Sequence, residues 1–288
     1  MRKVTDTIFS VFIKMLAALT VLLLAFVIYF IVAEALPLFG KVSVKDFLFG
    51  SRWMPIDSVK IPGYGIFNFI IATGYVAVLA VFFAVIISIG VAVFLSCVAS
   101  EKIRNVLYAG VDLLAGIPSV IYGFVGLVVL VKGFLKLGHP SGLSVLAAAL
   151  VLTIMVLPFL ISAISDTMLK VKERYMPNAA ALGVDKWYIV ATVVLPLSMK
   201  SIFINMVLAM SRAMGETMAV MMVIGNANLF PRLLGKSETI SSLIALEMGS
   251  AVAGSTHYSA LYAAGLVLMV MLLIINVVIN RIQRKVVV

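Results

Sequence analysis

Residues 61–100 read IPGYGIFNFIIATGYVAVLAVFFAVIISIGVAVFLSCVAS, a stretch without one Asp, Glu, Lys or Arg. Crossing the hydrocarbon of a bilayer takes about 20 apolar residues at about 1.5 Å each, so this run holds a span with residues to spare. Its start therefore falls at the interface, near Gly63, Gly65 or Gly74. Barrel strands need only about 9–11 residues, and this run is too long and too continuously apolar for one. A helix satisfies each backbone group within its own segment, as lipid demands.

Working outward, the same character recurs. Met15–Ala33, Leu113–Val131, Leu137–Ser165 and Met248–Asn280 also lack Asp, Glu, Lys and Arg, and Ser201–Asn226 is apolar apart from Arg212 and Glu216. The pattern predicts an all-α membrane protein with six spans, about Phe9–Leu36, Asn68–Val98, Leu107–Val131, Val145–Ser165, Ser201–Gly225 and Ser259–Asn280. The first is a retained helix rather than a signal peptide. It exceeds the usual apolar core of about 7–15 residues of a signal peptide.

Composition agrees. Hydrophobic residues make up 64% of the 288 and charged residues 12%, against about 45–50% and about 25% in soluble domains. The net charge of +10 suits membrane anchoring, because no basic patch is interleaved with aromatics as nucleic-acid binding would need. Counting Lys and Arg by segment puts twelve on the side of the termini and eight on the other. The positive-inside rule then places both termini in the cytoplasm. Pro37–Phe67 and Ala227–Tyr258 become outer loops and Asp166–Lys200 an inner one, in a single transmembrane domain. Within the second outer loop, Ile240, Leu243, Ile244 and Met248 have helical spacing.

Several chemistries lack their residues. Cys97 is alone, and His139 and His257 read as solvated loop histidines with no ligand cluster. Gly235-Lys236-Ser237 looks like the tail of a P-loop, but Phe230 stands where its first glycine belongs. A membrane enzyme, the competing class, needs a nucleophile with its base or a metal with ligands. There is no H-E-x-x-H, and Glu34, Asp112 and Glu216 form no evident pair.

Three segments carry more specific readings. Tyr175–Gly183 places Pro177 ahead of Ala179-Ala180-Ala181 and Gly183 behind them. This predicts a short bare helix, either a groove-entering element or an interfacial connector. Asp185 would cap a second short helix, which Leu195-Pro196 would break. Gly116, Pro118, Gly123 and Gly126 crowd one span and predict a kink with a tight helix contact, or a kinked pathway helix presenting Ser119. Arg212 and Glu216 lie four apart and so share one helix face. A self-contained ion pair is one reading. The other is an arginine whose spare donors meet an anion, with Glu216 competing for it and Thr217 adding a hydroxyl. Met210, Met214, Met218 and Met222 continue the same four-residue interval as packing.

The Tyr175–Pro196 spacing resembles the E-A-A-x3-G-x9-I-x-L-P signature of ABC importer permeases, with Pro177 where glutamate is frequent, Asn178 for the first alanine and Val193 for the isoleucine. Ala115–Phe124 is similar to the G-I-P-S-V-x-Y-G-F segment of phosphate permeases. Arg212–Asn226 is similar to the R-A-x-G-E-T-x-A-V-x-M-V-x-G-N segment of their PstC type, and the likeness runs from about Phe47 to the end of the chain. The resemblance implies the type I ABC importer permease fold and the channel-forming subunit of an ATP-driven importer of inorganic phosphate, with sulfate or molybdate as alternative oxyanions. Under this reading Arg212, Glu216, Thr217 and Ser119 are the substrate-pathway candidates, and the resemblance assigns ATPase coupling to Ala179, Ala180, Ala181 and Gly183. The implied partners are a PstA-like permease, two ATPase subunits that use ATP and Mg, an extracytoplasmic phosphate-binding protein and membrane lipid. No cofactor or metal is expected on this chain.

Overall fold

The structure, a computed structural model, describes residues 2–55 and 63–285. Residues 56–62 of the first outer loop, with Lys60, lie outside them. Six helical segments are long and apolar enough to cross a membrane: Phe9–Phe39, Phe67–Val98, Ser119–Lys136, Val145–Ala181, Lys186–Gly215 and Thr256–Val278.

The first segment belongs to helix α1 (Arg2–Phe39), followed by a short helix α2 (Val44–Phe49) and a two-stranded hairpin, β1 (Trp53–Met54) and β2 (Gly63–Tyr64). Trp53 pairs with Tyr64 and Met54 with Gly63, antiparallel. Helix α3 (Phe67–Val93) ends in a wide π turn at Phe94–Val98. Helix α4 (Glu101–Ala115) buries none of its residues. The third crossing consists of α5 (Ser119–Val125), a π turn at Gly126–Val131 and α6 (Lys132–Lys136). Helix α7 spans Val145–Ala181. The fifth crossing runs through α8 (Lys186–Ile189), a π turn at Val190–Val194 and α9 (Leu195–Gly215). The short helices α10 (Met218–Ile224) and α11 (Ile240–Glu247) precede the last crossing, α12 (Thr256–Lys285).

Three boundaries differ from the sequence reading. The third span does not run Leu107–Val131. The chain breaks at Gly116-Ile117-Pro118, because proline has no N–H to continue the ladder. Pro118 is extended, at φ −58° and ψ 140°, and the Tyr122 hydroxyl bridges the break by donating to the Leu114 carbonyl at 2.8 Å.

Asp166–Lys200 is not a loop containing a free helix. Helix α7 continues through Pro177, and Ala179-Ala180-Ala181 form its last turn. Its end is a Schellman turn: Gly183, at φ +72°, donates to the Ala180 carbonyl and Val184 to that of Ala179. The hydrophobic count misses this extension because its charged residues lie beyond the expected span.

Leu195-Pro196 does not stop the next helix. The π turn at Val190–Val194 opens the helix just ahead of the proline ring, and α9 proceeds from there. The Asp185 cap is present, accepting from the Trp187 and Tyr188 amides at 2.8 and 3.1 Å.

Helices α3 and α7 form the central pair, with small side chains at the contact. Ala77, Ala80, Ala84, Ala147 and Ala148 are fully buried, and Thr153 donates to the Ala149 carbonyl at 2.8 Å while lying 3.2 Å from that of Ala80. Small residues substitute close packing for the hydrophobic drive that lipid cannot supply. Helix α1 lies against α12 and exposes large apolar side chains from Phe9 to Phe30, a surface suited to lipid. A second apolar cluster joins Leu38, Phe47, Ile66, Phe69, Leu243 and Leu261 at the end bearing the hairpin.

Candidate functional site

Three of the four polar pathway candidates, Arg212, Glu216 and Thr217, lie where α9 gives way to α10. Helix α9 carries Arg212 in its last turn, where the negative end of the helix dipole favours a cation. It ends at Gly215. Glu216 follows in an extended conformation, φ −71° and ψ 130°, and α10 begins at Met218. The expectation that Arg212 and Glu216 share one helix face is therefore corrected. The i,i+4 relationship exists only in a continuous helix, and this one is interrupted between them.

The self-contained ion pair is absent as well. Among the described residues Arg212 makes no ion pair and its guanidinium no hydrogen bond, and the side chain is exposed. The Glu216 carboxylate turns instead toward the first turn of α10, where Ala219 N–H points at Oε1 from 3.5 Å. The Glu216 carbonyl accepts from the Ser241 hydroxyl on α11 at 2.9 Å. Thr217 lies with its hydroxyl 3.4 Å from the Gly215 carbonyl, and its own carbonyl starts α10 by accepting from Met221 N–H at 2.9 Å. Arg212, whose five guanidinium donors are unpaired among the described residues, thus precedes a break formed by Glu216 and Thr217. A guanidinium can take a tetrahedral oxyanion through charge-assisted hydrogen bonds, whereas a carboxylate repels one.

Helix α10 is seated against α5 and α7, which brings two of the sequence motifs together. A Cβ on Gly123 would stand 2.8 Å from Met222 Sδ and 3.0 Å from Ala219 Cα. One on Gly126 would stand 2.4 Å from Val151 Cγ2 and 3.1 Å from Val223 Cγ1. Gly123 is thus a contact residue for α10, and Gly126 for both α7 and α10. Ser119 sits at the start of α5, half-buried, and no hydrogen bond joins it to Arg212, Glu216 or Thr217. The motif's closing residues have a conformational role. Gly225 at φ +101° and Asn226 at φ 45° end α10, and Asn226 donates its side-chain amide to the Met221 carbonyl at 2.8 Å. Met210 and Met214 lie on α9 and Met218 and Met222 on α10, so their four-residue interval crosses the break.

The other expected site is the tip of α7. Ala180, Ala181 and Gly183 are exposed and Ala179 partly so, and Leu182, Trp187 and Tyr188 stand out beside them.

A polar cluster that sequence reading missed lies at the hairpin end. His257 is no solvated loop residue. It belongs to the first turn of α12 and pairs with Glu247, Nε2 to Oε2 at 2.8 Å. Trp53 donates its indole N–H to the same carboxylate, 2.9 and 3.1 Å from its two oxygens. Glu238 is buried nearby, and burial first, then the charge of Glu247, pushes its carboxyl up to about 7. His139 is likewise engaged. Its Nδ1 accepts from Gly142 N–H at 2.9 Å, and its Nε2 lies 2.6 Å from the Leu234 carbonyl. Trp53, Glu238, Glu247 and His257 come from separate segments, and no spacing rule links them.

Residues 84–288 match the family of binding-protein-dependent transport system inner membrane components. The chain is 35% identical to the phosphate transport system permease protein PstC of Xylella fastidiosa, over 99% of this chain and 94% of the relative. It is 36% identical to the probable ABC transporter permease protein YqgH of Bacillus subtilis, over 81% and 76%. A probable PstC of Methanocaldococcus jannaschii is 34% identical over 94% and 88%. Among solved structures, the inward-facing MetNI methionine ABC transporter superposes with a TM-score of 0.59, at 18% identity, covering 75% of this chain and 93% of that one. That likeness establishes the type I importer permease fold.

Proposed function

The chain belongs to the family of binding-protein-dependent transport system inner membrane components, and on that premise we propose that it is the PstC-type, channel-forming subunit of an ATP-driven importer of inorganic phosphate. It is a multi-pass protein of the inner membrane, with six apolar helices. The observation that carries the phosphate reading is the likeness to PstC proteins along nearly the whole chain. The geometry supports it with an unpaired arginine at an interrupted span. Charged residues within membrane spans are rare and are functional candidates by default.

In this reading both termini are cytoplasmic. A PstA-like permease completes the channel, and an extracytoplasmic phosphate-binding protein delivers the anion. Two ATPase subunits dock at the α7 tip, where a nearly bare alanine turn lies beside the exposed Leu182, Trp187 and Tyr188, and they use ATP and Mg. Alternating access exposes the α9–α10 break first to one side and then to the other. Arg212 takes the anion bidentately, Thr217 supplies a hydroxyl, and Glu216 limits the residence time by electrostatic competition. Ser119 lines the same route from α5.

The test is uptake by the complete complex of radiolabelled phosphate, with sulfate and molybdate as competitors. Phosphate should accumulate in an ATP-dependent manner and resist both competitors at tenfold excess. Displacement by sulfate or molybdate would assign the chain to another oxyanion.

A further inference from the structure

We propose that Ser241 is a positioning residue for transport: its hydroxyl, carried on α11, holds the Glu216 carbonyl and thereby fixes the α9–α10 break that presents Arg212, Glu216 and Thr217. The inference rests on the phosphate-permease reading and adds a residue to it.

The break creates the need for such a partner. An extended Glu216 directs its carbonyl away from the α9 ladder, and a polar group left unsatisfied in an apolar bundle costs several kcal/mol. In membrane proteins, serine and threonine side chains are among the groups that satisfy backbone freed by an interrupted helix. Ser241 does so from a separate element, at 2.9 Å, while itself only 7% exposed. A serine hydroxyl has one hydrogen. With that hydrogen given to Glu216, its oxygen is left to accept, and the Thr239 hydroxyl lies 3.2 Å away.

The first turn of α11 is also anchored on its other side. The Ile240 amide donates to Thr73 Oγ1 on α3 at 3.0 Å, and Thr73 passes its own hydrogen to the Phe69 carbonyl at 2.7 Å. Thr239, the N-cap, accepts from Ser242 N–H. One helical turn thus spans from the central helix α3 to the break. A shift of α11 changes the support of Glu216 directly, so the outer helix and the anion-handling residues are mechanically joined.

The test uses the complete complex with Ser241→Ala, Ser241→Thr and Ser241→Val, uptake being normalised to the assembled fraction. Threonine and valine have nearly the same volume and differ in the hydroxyl. Ser241→Ala and Ser241→Val both leave the Glu216 carbonyl without its partner, and should lower maximal phosphate uptake by about three- to tenfold. Ser241→Thr should keep at least half. The half-saturating phosphate concentration should stay unchanged, because capture belongs to the binding protein. Wild-type uptake in Ser241→Val, or equal losses in Ser241→Thr and Ser241→Val, would overturn the positioning role. Such a result beside normal phosphate uptake by the wild-type complex would leave the phosphate reading standing. A wild-type complex that moves no phosphate would remove both.

Discussion

His257 Nε2 lies 2.8 Å from Glu247 Oε2, and this contact closes the bundle at the hairpin end. Trp53 donates to the same carboxylate and meets the His257 ring edge-on, at 6.1 Å between centroids. Three separate segments, the hairpin, α11 and α12, are therefore tied through one side chain. Glu238 sits beside this junction with its carboxyl raised to about 7 from an ordinary 4.5 by burial and by Glu247.

That shift predicts a pH dependence with a definite sign. A carboxyl whose folded pKa is raised favours the folded state while protonated. Its contribution is full below about pH 4.5 and is lost as pH rises through about 7. The wild-type complex in detergent should unfold at a lower temperature at pH 8 than at pH 6. Glu238→Gln should remove much of that difference and raise the melting temperature at pH 8, by an effect on the order of 2–3 kcal/mol. Parallel pH curves for the two proteins would show that Glu238 does not carry the linkage.

The packing of the third crossing against α7 makes a second prediction. At Gly126 a methyl group would stand 2.4 Å from the stiff side chain of Val151, whereas at Gly133 it would meet nothing within 4 Å. Gly126→Ala should therefore destabilise by about 1–3 kcal/mol through overpacking. Gly133→Ala should be neutral or slightly stabilising, since alanine is the better helix former. Thermal unfolding of the two variants side by side measures the difference, and equal melting temperatures would contradict the close contact.

A third prediction concerns energy coupling. Ala180 is exposed on the last turn of α7, so Ala180→Glu leaves the fold intact and places a charge where the partner ATPase is proposed to dock. Desolvating an unpaired charge is costly. Transport and binding-protein-stimulated ATP hydrolysis should fall at least tenfold, with membrane insertion unchanged. Normal coupling would move the docking site elsewhere.

Much of the fold was legible because charge exclusion from hydrocarbon is written along the chain. Six crossings, the α11 helix and the Asp185 cap follow from it and from local hydrogen-bonding rules. The errors fall where local signals have two outcomes. Pro118 breaks its helix, while Pro177 and Pro196 are carried within continuous ones, and the π turn ahead of Pro196 leaves no sequence mark. Arg212 and Glu216 are legible as functional candidates from their apolar surroundings. Their relative placement is not, since it depends on the extended Glu216, whose carbonyl Ser241 supports from a segment 25 residues later. Trp53, Glu238, Glu247 and His257 meet only in three dimensions.

The central claim is that Arg212, unpaired at the α9–α10 break, handles the anion, and phosphate uptake by the complete complex carrying Arg212→Gln tests it most directly. Uptake should fall at least a hundredfold while the permease still co-purifies with its partner chains. Arg212→Lys should recover only part of the activity, because a point charge lacks the planar fork. Near-normal uptake in Arg212→Gln would contradict the account, and so would loss of assembly, which would make the arginine a structural residue.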